Sequence, residues 1–132
     1  MVVSSDFRSA SSTDDLWHAP RGSPGLSDFL IDGSMNSEQV TIETERAGIH
    51  LIPRGTECDN ARPFIDSTRT AQLIDLLKGR YDWVLFDSPG TLDTSGAAQL
   101  SDMVDGALVV DGTRSRLTSI NDAFWVLEGT AA

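Results

Sequence analysis

The chain holds one cysteine, two histidines and only half as many basic as acidic residues, and each scarcity closes off a class of protein. Cys58 has no partner for an internal disulfide, which suits a reducing cytoplasm, and beside Asp59 and Asn60 it reads as an ordinary loop thiol. With His18 and His50 as the only histidines, no metal-ligand spacing is present. No apolar run approaches the roughly 20 residues that cross a bilayer, and no signal-peptide pattern follows Met1. Ten Lys and Arg against 20 Asp and Glu give a formal charge of −10 and a pI near 4.3. Such a field repels nucleic acid and anionic lipid, so neither is an expected partner. The acidic pair Asp14-Asp15 lacks EF-hand spacing and reads as solvated surface. Also missing is GxxxxGK(S/T), the loop whose backbone amides and lysine surround a polyphosphate.

What remains is enough for one domain. At 132 residues with 39% hydrophobic side chains, the chain buries a real core with little to spare. No linker argues for a second domain and no internal repeat is present, so residues 1–132 are expected to form a single one. "MVVSSD" predicts a short strand ending at Ser4-Ser5-Asp6. The Ser, Gly, Pro and Asp of residues 9–25 predict a long loop pinned by Trp17. In "PGLSDFLIDG", Leu26, Phe29 and Leu30 fall on one helical face and Gly33 is a stop. "NSEQVTIETE" fits a short helix or an extended run equally. "GIHLIPRG" predicts a strand closed by Pro53 and Gly55. Ser67 reads as the cap of a helix with Leu73, Ile74, Leu76 and Leu77 on its apolar stripe, ended by Gly79. A strand over 83–87, a helical turn or two within Ala97–Met103, a fully apolar strand "GALVVD" and a helix over 115–127 complete the reading. Strands alternating with helices predict an α/β fold with a mainly parallel sheet and flanking helices.

Parallel strands bring their carboxyl ends to one rim, where ligands of such sheets bind. Three strands here end in acids, Asp6, Asp87 and Asp111. Together they suit a hydrated magnesium ion or a proton taken from an attacking hydroxyl. Arg8, two residues past Asp6, suits a phosphate or one of those acids. Strand-terminal aspartates also serve simply to cap turns, and spacing alone leaves both readings open.

The stretches "VVSSDFRS", "PGLSDFLIDG", "GIHLIPRG", "YDWVLFDSPG" and "DMVDGALVVDGTRS", in this order, resemble the cytoplasmic domain of the bacterial tyrosine kinases, deviant-Walker P-loop ATPases of capsule and exopolysaccharide export. The resemblance implies an incomplete P-loop NTPase fold, ATP and magnesium as cofactors, and a family tendency to form homo-oligomeric rings. It matches "VVSSDFRS" to the Walker A′ strand. Asp6 thereby assists the acceptor hydroxyl or the metal, and Arg8 is the motif's arginine. Asp87 matches the Walker B acid that holds magnesium. A cytoplasmic site follows, at the inner face of the membrane through a polysaccharide-export membrane protein or a kinase partner.

The departures shape the functional expectation. Ser4 stands where the family carries its first Walker A′ acid, and Gly96 where it carries an Asp. Tyr81 is the only tyrosine, so the tail "LEGTAA" lacks the family's phosphoacceptor cluster. The family's Walker A strand and helix precede the A′ strand, and Met1 already lies on the latter. The expectation is a regulatory pseudoenzyme or fragment, inactive alone. The alternative is a split or truncated kinase that works with an upstream P-loop segment. A response-regulator receiver is a further reading of "YDWVLFDSPG", weakened by the lack of an acidic pair on the first strand and of a lysine after Asp111.

Overall fold

A computed structural model describes residues 1–7, 12–56, 59, 68–88 and 99–110. The chain divides into two compact units, Met1–Ser88 and Pro89–Ala132. The first unit carries a four-stranded sheet in the order β2-β3-β1-β4, with β1 at Val2–Ser4, β2 at Ile42–Glu43, β3 at His50–Ile52 and β4 at Leu85–Asp87. β1 runs parallel to both neighbours, pairing Val2 with Leu51 and Leu85, and Ser4 with Asp87. Only β2 is antiparallel, with Ile42 opposite Leu51. The expected α/β class and mainly parallel sheet are therefore present, and "NSEQVTIETE" resolves to a turn followed by β2.

Among the described residues this unit carries α1 at Ser12–Leu16, α2 at Leu26–Ile31 and α3 at Thr68–Lys78. α1 corrects the expectation of an unbroken loop there. Its end explains why it stops: Ala19 N donates to Asp14 O (2.9 Å) and His18 N to Asp15 O (3.2 Å), with His18 in the left-handed region at φ 53°. That paired pattern satisfies the last carbonyls of a helix and needs one residue at positive φ. α3 buries Thr70, Leu73, Ile74 and Leu77, the i, i+3, i+4, i+7 stripe of a surface helix, whereas Leu76 stays 40% exposed and leaves the predicted stripe. Leu73 and Leu77, each at 1% exposure, join Val3, Leu51, Ile52, Leu26, Leu30 and Val40 in the core. Each such side chain contributes about 1.5–3 kcal/mol on burial.

"PGLSDFL" owes its composition to a docking contact. Gly25 is so close to the strand exit that a Cβ would lie 2.2 Å from Pro53 O and 2.5 Å from Gly55 N. That closeness lets Leu26 N donate to Pro53 O (2.7 Å) and Ser27 N to Arg54 O (2.9 Å), so α2's first amides are satisfied by the loop after β3. Asp28, at the third helical position, reaches back to Gly25 N (2.8 Å) and across to Thr56 N (2.9 Å), with Thr56 Oγ1 donating to its other oxygen. Gly55 sits at φ 95°, where a side chain would strain the backbone and strike Ser27 Oγ and Asp28 Oδ2.

The far end of α2 is held by Arg69 of α3. Its Nε donates to Phe29 O (2.8 Å), Nη1 to Gly33 O (3.3 Å), and Nη2 to Asp32 O (3.2 Å) and Met35 O (3.1 Å). The guanidinium also stacks on the Phe29 ring at 4.3 Å. One planar cation thus collects the Phe29 carbonyl in the last turn of α2 and three carbonyls of the loop that follows it.

In the second unit, residues 99–101 are helical and 102–105 turn, in line with the predicted turn of helix. The predicted strand "GALVVD" is absent over its described residues: 106–110 form no strand, and Leu108 and Val110 are 89% and 86% exposed. An unbroken apolar run signals a strand only when another strand lies beside it. Ser67, Cys58, Asp111 and the predicted 115–127 helix lie outside the described residues.

Candidate functional site

The register of β1 against β4 sets Ser4 directly beside Asp87, so the two strand ends share one rim. Ser5 fastens them: its backbone N and its Oγ both donate to Asp87 O at 2.8 Å. Ser4 and Ser5 are buried, at 0% and 3% exposure, and Asp6 and Asp87 are half-buried. The predicted gathering of the first and fourth strand ends is thus present in this unit. Arg8 and Gly96 lie outside the described residues, as does Asp111.

Two residues complete the rim: Thr13, which the sequence reading did not single out, and Asp14, whose half-buried carboxyl corrects its reading as solvated surface. Thr13 Oγ1 donates to Asp87 Oδ2, so the first turn of α1 covers the outer oxygen of that carboxylate. Asp14, one residue on, accepts from the buried Ser4 hydroxyl and from Arg54 N, at 3.4 Å to each oxygen, and lies 3.7 Å from Arg54 Nε. Ser4 is therefore not a vacant position but a partner of Asp14. A carboxylate in its place would face Asp14 inside the protein, where like charges repel strongly.

Burial pushes the Asp14 carboxyl above the usual range, and Asp15 adds to it, while the Arg54 backbone, the Ser4 hydroxyl and the Arg54 charge pull the other way. A raised folded-state pKa means that the native state binds this proton more tightly than the unfolded chain does. Its stabilising contribution is complete below the unfolded value of 3.8 and is lost as pH rises through the folded value. The stability of the wild type relative to Asp14→Asn is expected to fall with rising pH across that window. Urea midpoints measured from about pH 3 to pH 6 check this, and a difference independent of pH would contradict it.

The donor set does not by itself fit magnesium with ATP. Among the described residues no three His, Cys, Asp or Glu side chains gather as metal ligands. Asp87's outer oxygen is engaged by Thr13, and no GxxxxGK(S/T) occurs in the 132 residues. Among the described residues, no helix is long and apolar enough to cross a membrane.

No protein-family profile matches the chain. Among curated proteins it is similar to tyrosine-protein kinase wzc of Salmonella typhi, 36% identical over 86 residues, which is 65% of this chain and 12% of that protein. Tyrosine-protein kinase ptk of Acinetobacter johnsonii is 28% identical over 87 residues, 66% of the chain and again 12% of the relative. The chain thus spans about an eighth of the length of these relatives. Of solved structures, the BceF tyrosine kinase domain superposes with a TM-score of 0.82 at 30% identity, covering 99% of this chain and 51% of that one. The kinase domain of the Escherichia coli tyrosine kinase ETK superposes at 0.88 with 23% identity, covering 99% and 51%. These likenesses favour the tyrosine-kinase resemblance of the chain over the receiver reading.

Proposed function

The chain is a member of the bacterial tyrosine kinase family, and on that premise we propose that it is a kinase-like regulatory module of capsule or exopolysaccharide export that neither binds ATP tightly nor transfers phosphate by itself. The observation that carries this reading is the rim: Asp87 capped by Thr13, and a buried serine, not an acid, at position 4. A P-loop enzyme grips the β- and γ-phosphates with successive backbone amides and a lysine. Carboxylates repel that polyphosphate unless metal ions intervene, and a chain charge of −10 opposes its approach. The module acts in the cytoplasm, at the inner face of the membrane, through a polysaccharide-export or kinase partner.

Calorimetric titration of the purified chain with Mg·ATP tests the proposal. Binding weaker than roughly 1 mM, about −4 kcal/mol, is expected. A micromolar dissociation constant abolished by Asp87→Asn would overturn it.

One observation favours a second reading, that of a split kinase. β4, the strand bearing Asp87, is the last strand of the sheet among the described residues, and a phosphate-gripping strand would continue the sheet there. In that assembly Asp87 and Asp6 take the magnesium and Arg8 the phosphate side. Co-expression with a GxxxxGK(S/T)-bearing segment, followed by the same titration, separates the two: nucleotide binding gained only in the pair supports the split kinase.

A further inference from the structure

Thr13 and Asp14 tie α1 to the carboxyl ends of all three parallel strands. Thr13 Oγ1 donates to Asp87 Oδ2 at the end of β4. Asp14 accepts from the Ser4 hydroxyl at the end of β1, and from Arg54 N two residues past the end of β3. The strands have their own bonds to one another. Val2 and Val3 pair with Leu51 and Ile52 on one side and with Leu85 and Phe86 on the other, and Ser5 Oγ already holds Asp87 O. What Thr13 and Asp14 add is a cover over the rim, at the place where sheets of this kind bind their ligands.

That cover is weakly built. Its five residues make fewer than two turns, and a helix so short has no stability of its own. Ser12, Thr13, Asp14 and Asp15 are poor helix formers, and Leu16 is 69% exposed and adds little burial. The exit through His18 at φ 53° costs energy that a glycine would not. Beyond the tethers, Arg46 lies over the Trp17 ring at 5.9 Å, a surface contact of modest strength. The hydroxyl on Asp87 satisfies one oxygen without bringing charge, so the carboxylate keeps its attraction for a cation. A divalent ion assembles a shell of roughly six oxygens, and the first turn of α1 covers that side of the carboxylate. We propose that α1 is a releasable strap over the rim, and that the Thr13–Asp87 fastening and a divalent cation at Asp87 exclude one another. The cation comes from the split-kinase reading above and rests on it, whereas the strap rests on the contacts of Thr13 and Asp14.

The test uses the whole chain without nucleotide, so the strap can fail while the ATP reading stands, and the reverse. Mn²⁺ is the probe for binding, read from water-proton relaxation, and Mg²⁺ the probe for hydrogen exchange. Thr13→Val removes the hydroxyl and keeps the volume; it is expected to bind Mn²⁺ about tenfold more tightly than the wild type, and Thr13→Ser to match the wild type. Adding Asp87→Asn to Thr13→Val should cancel the gain. Coupling between two sites is reciprocal. Mg²⁺ should therefore speed exchange at the wild-type Trp17 and Ala19 amides, which donate to Thr13 O and Asp14 O, and leave the Leu26 amide of α2 unchanged. Equal or weaker Mn²⁺ binding by Thr13→Val would overturn the proposal. So would a gain that survives Asp87→Asn, or one that Thr13→Ser shares. If Thr13→Val also exposes the Leu26 amide, the fold itself has opened and the wild-type exchange decides alone: α1 amides that Mg²⁺ speeds support the strap, and amides that it slows or leaves unchanged sink it.

Discussion

Gly25→Ala is expected to destabilise the protein by about 3–4 kcal/mol, the largest effect of any substitution considered. The added methyl would lie 2.2 Å from Pro53 O, 2.5 Å from Gly55 N and 2.7 Å from Pro53 C. All three are backbone atoms, so no side chain can swing aside. The α2 terminus must retreat from the loop after β3, and overpacking of this kind costs roughly 1–3 kcal/mol. Retreat also breaks the bonds from Leu26 N to Pro53 O and from Ser27 N to Arg54 O, each worth about 1 kcal/mol. The check is a denaturant midpoint that falls while the slope stays constant. Gly33→Ala is the control: nothing lies within 4 Å of its Cβ position, so a change within about 0.5 kcal/mol is expected.

Arg69→Ala follows, with an expected loss of about 2–3 kcal/mol. Hydrogen bonds to a charged donor contribute about 1.5–3 kcal/mol, and Arg69 makes four of them, two in part-buried and two in exposed surroundings. Solvent re-satisfies the exposed pair after truncation. The Phe29 and Met35 carbonyls are the ones left wanting, and the stacked Phe29 ring loses its cover. Arg69→Lys keeps the charge but not the planar fork, so it should recover less than half of the loss. Full recovery by lysine in thermal or urea melts would show that charge alone holds α2 to α3.

Much of this was legible in the sequence where one segment carries its own pattern. α3 follows from the spacing of Leu73, Ile74 and Leu77, and β1 and β3 from short apolar runs with clear stops. α1 escaped because its residues, Ser12 to Leu16, are mostly types that favour loops, and the contacts of Thr13 and Asp14 reach residues far along the chain. Residues 106–110 misled in the opposite sense, since apolar character speaks of burial and says nothing about a neighbouring strand. The site divides the same way. Asp87 and the Ser4–Asp6 end are visible as strand termini. The Thr13–Asp87 contact joins residues 74 apart and Asp14–Arg54 joins residues 40 apart, so no motif spacing announces either. "PGLSDFL", one of the stretches that carry the family resemblance, is a joint between a helix and a loop.

The sheet also sets a timetable for synthesis. β1 pairs with β3 and β4, and the bond from Ser5 to Asp87 closes across 82 residues. At roughly 5–20 residues per second, the first strand leaves the ribosome at least several seconds before its second neighbour exists. β3 can pair with its valines once residue 52 has emerged, but the pairing with β4 waits for residue 87, and such long-range closure is slow in itself. Until then the side of β1 that faces β4 depends on whatever shields it.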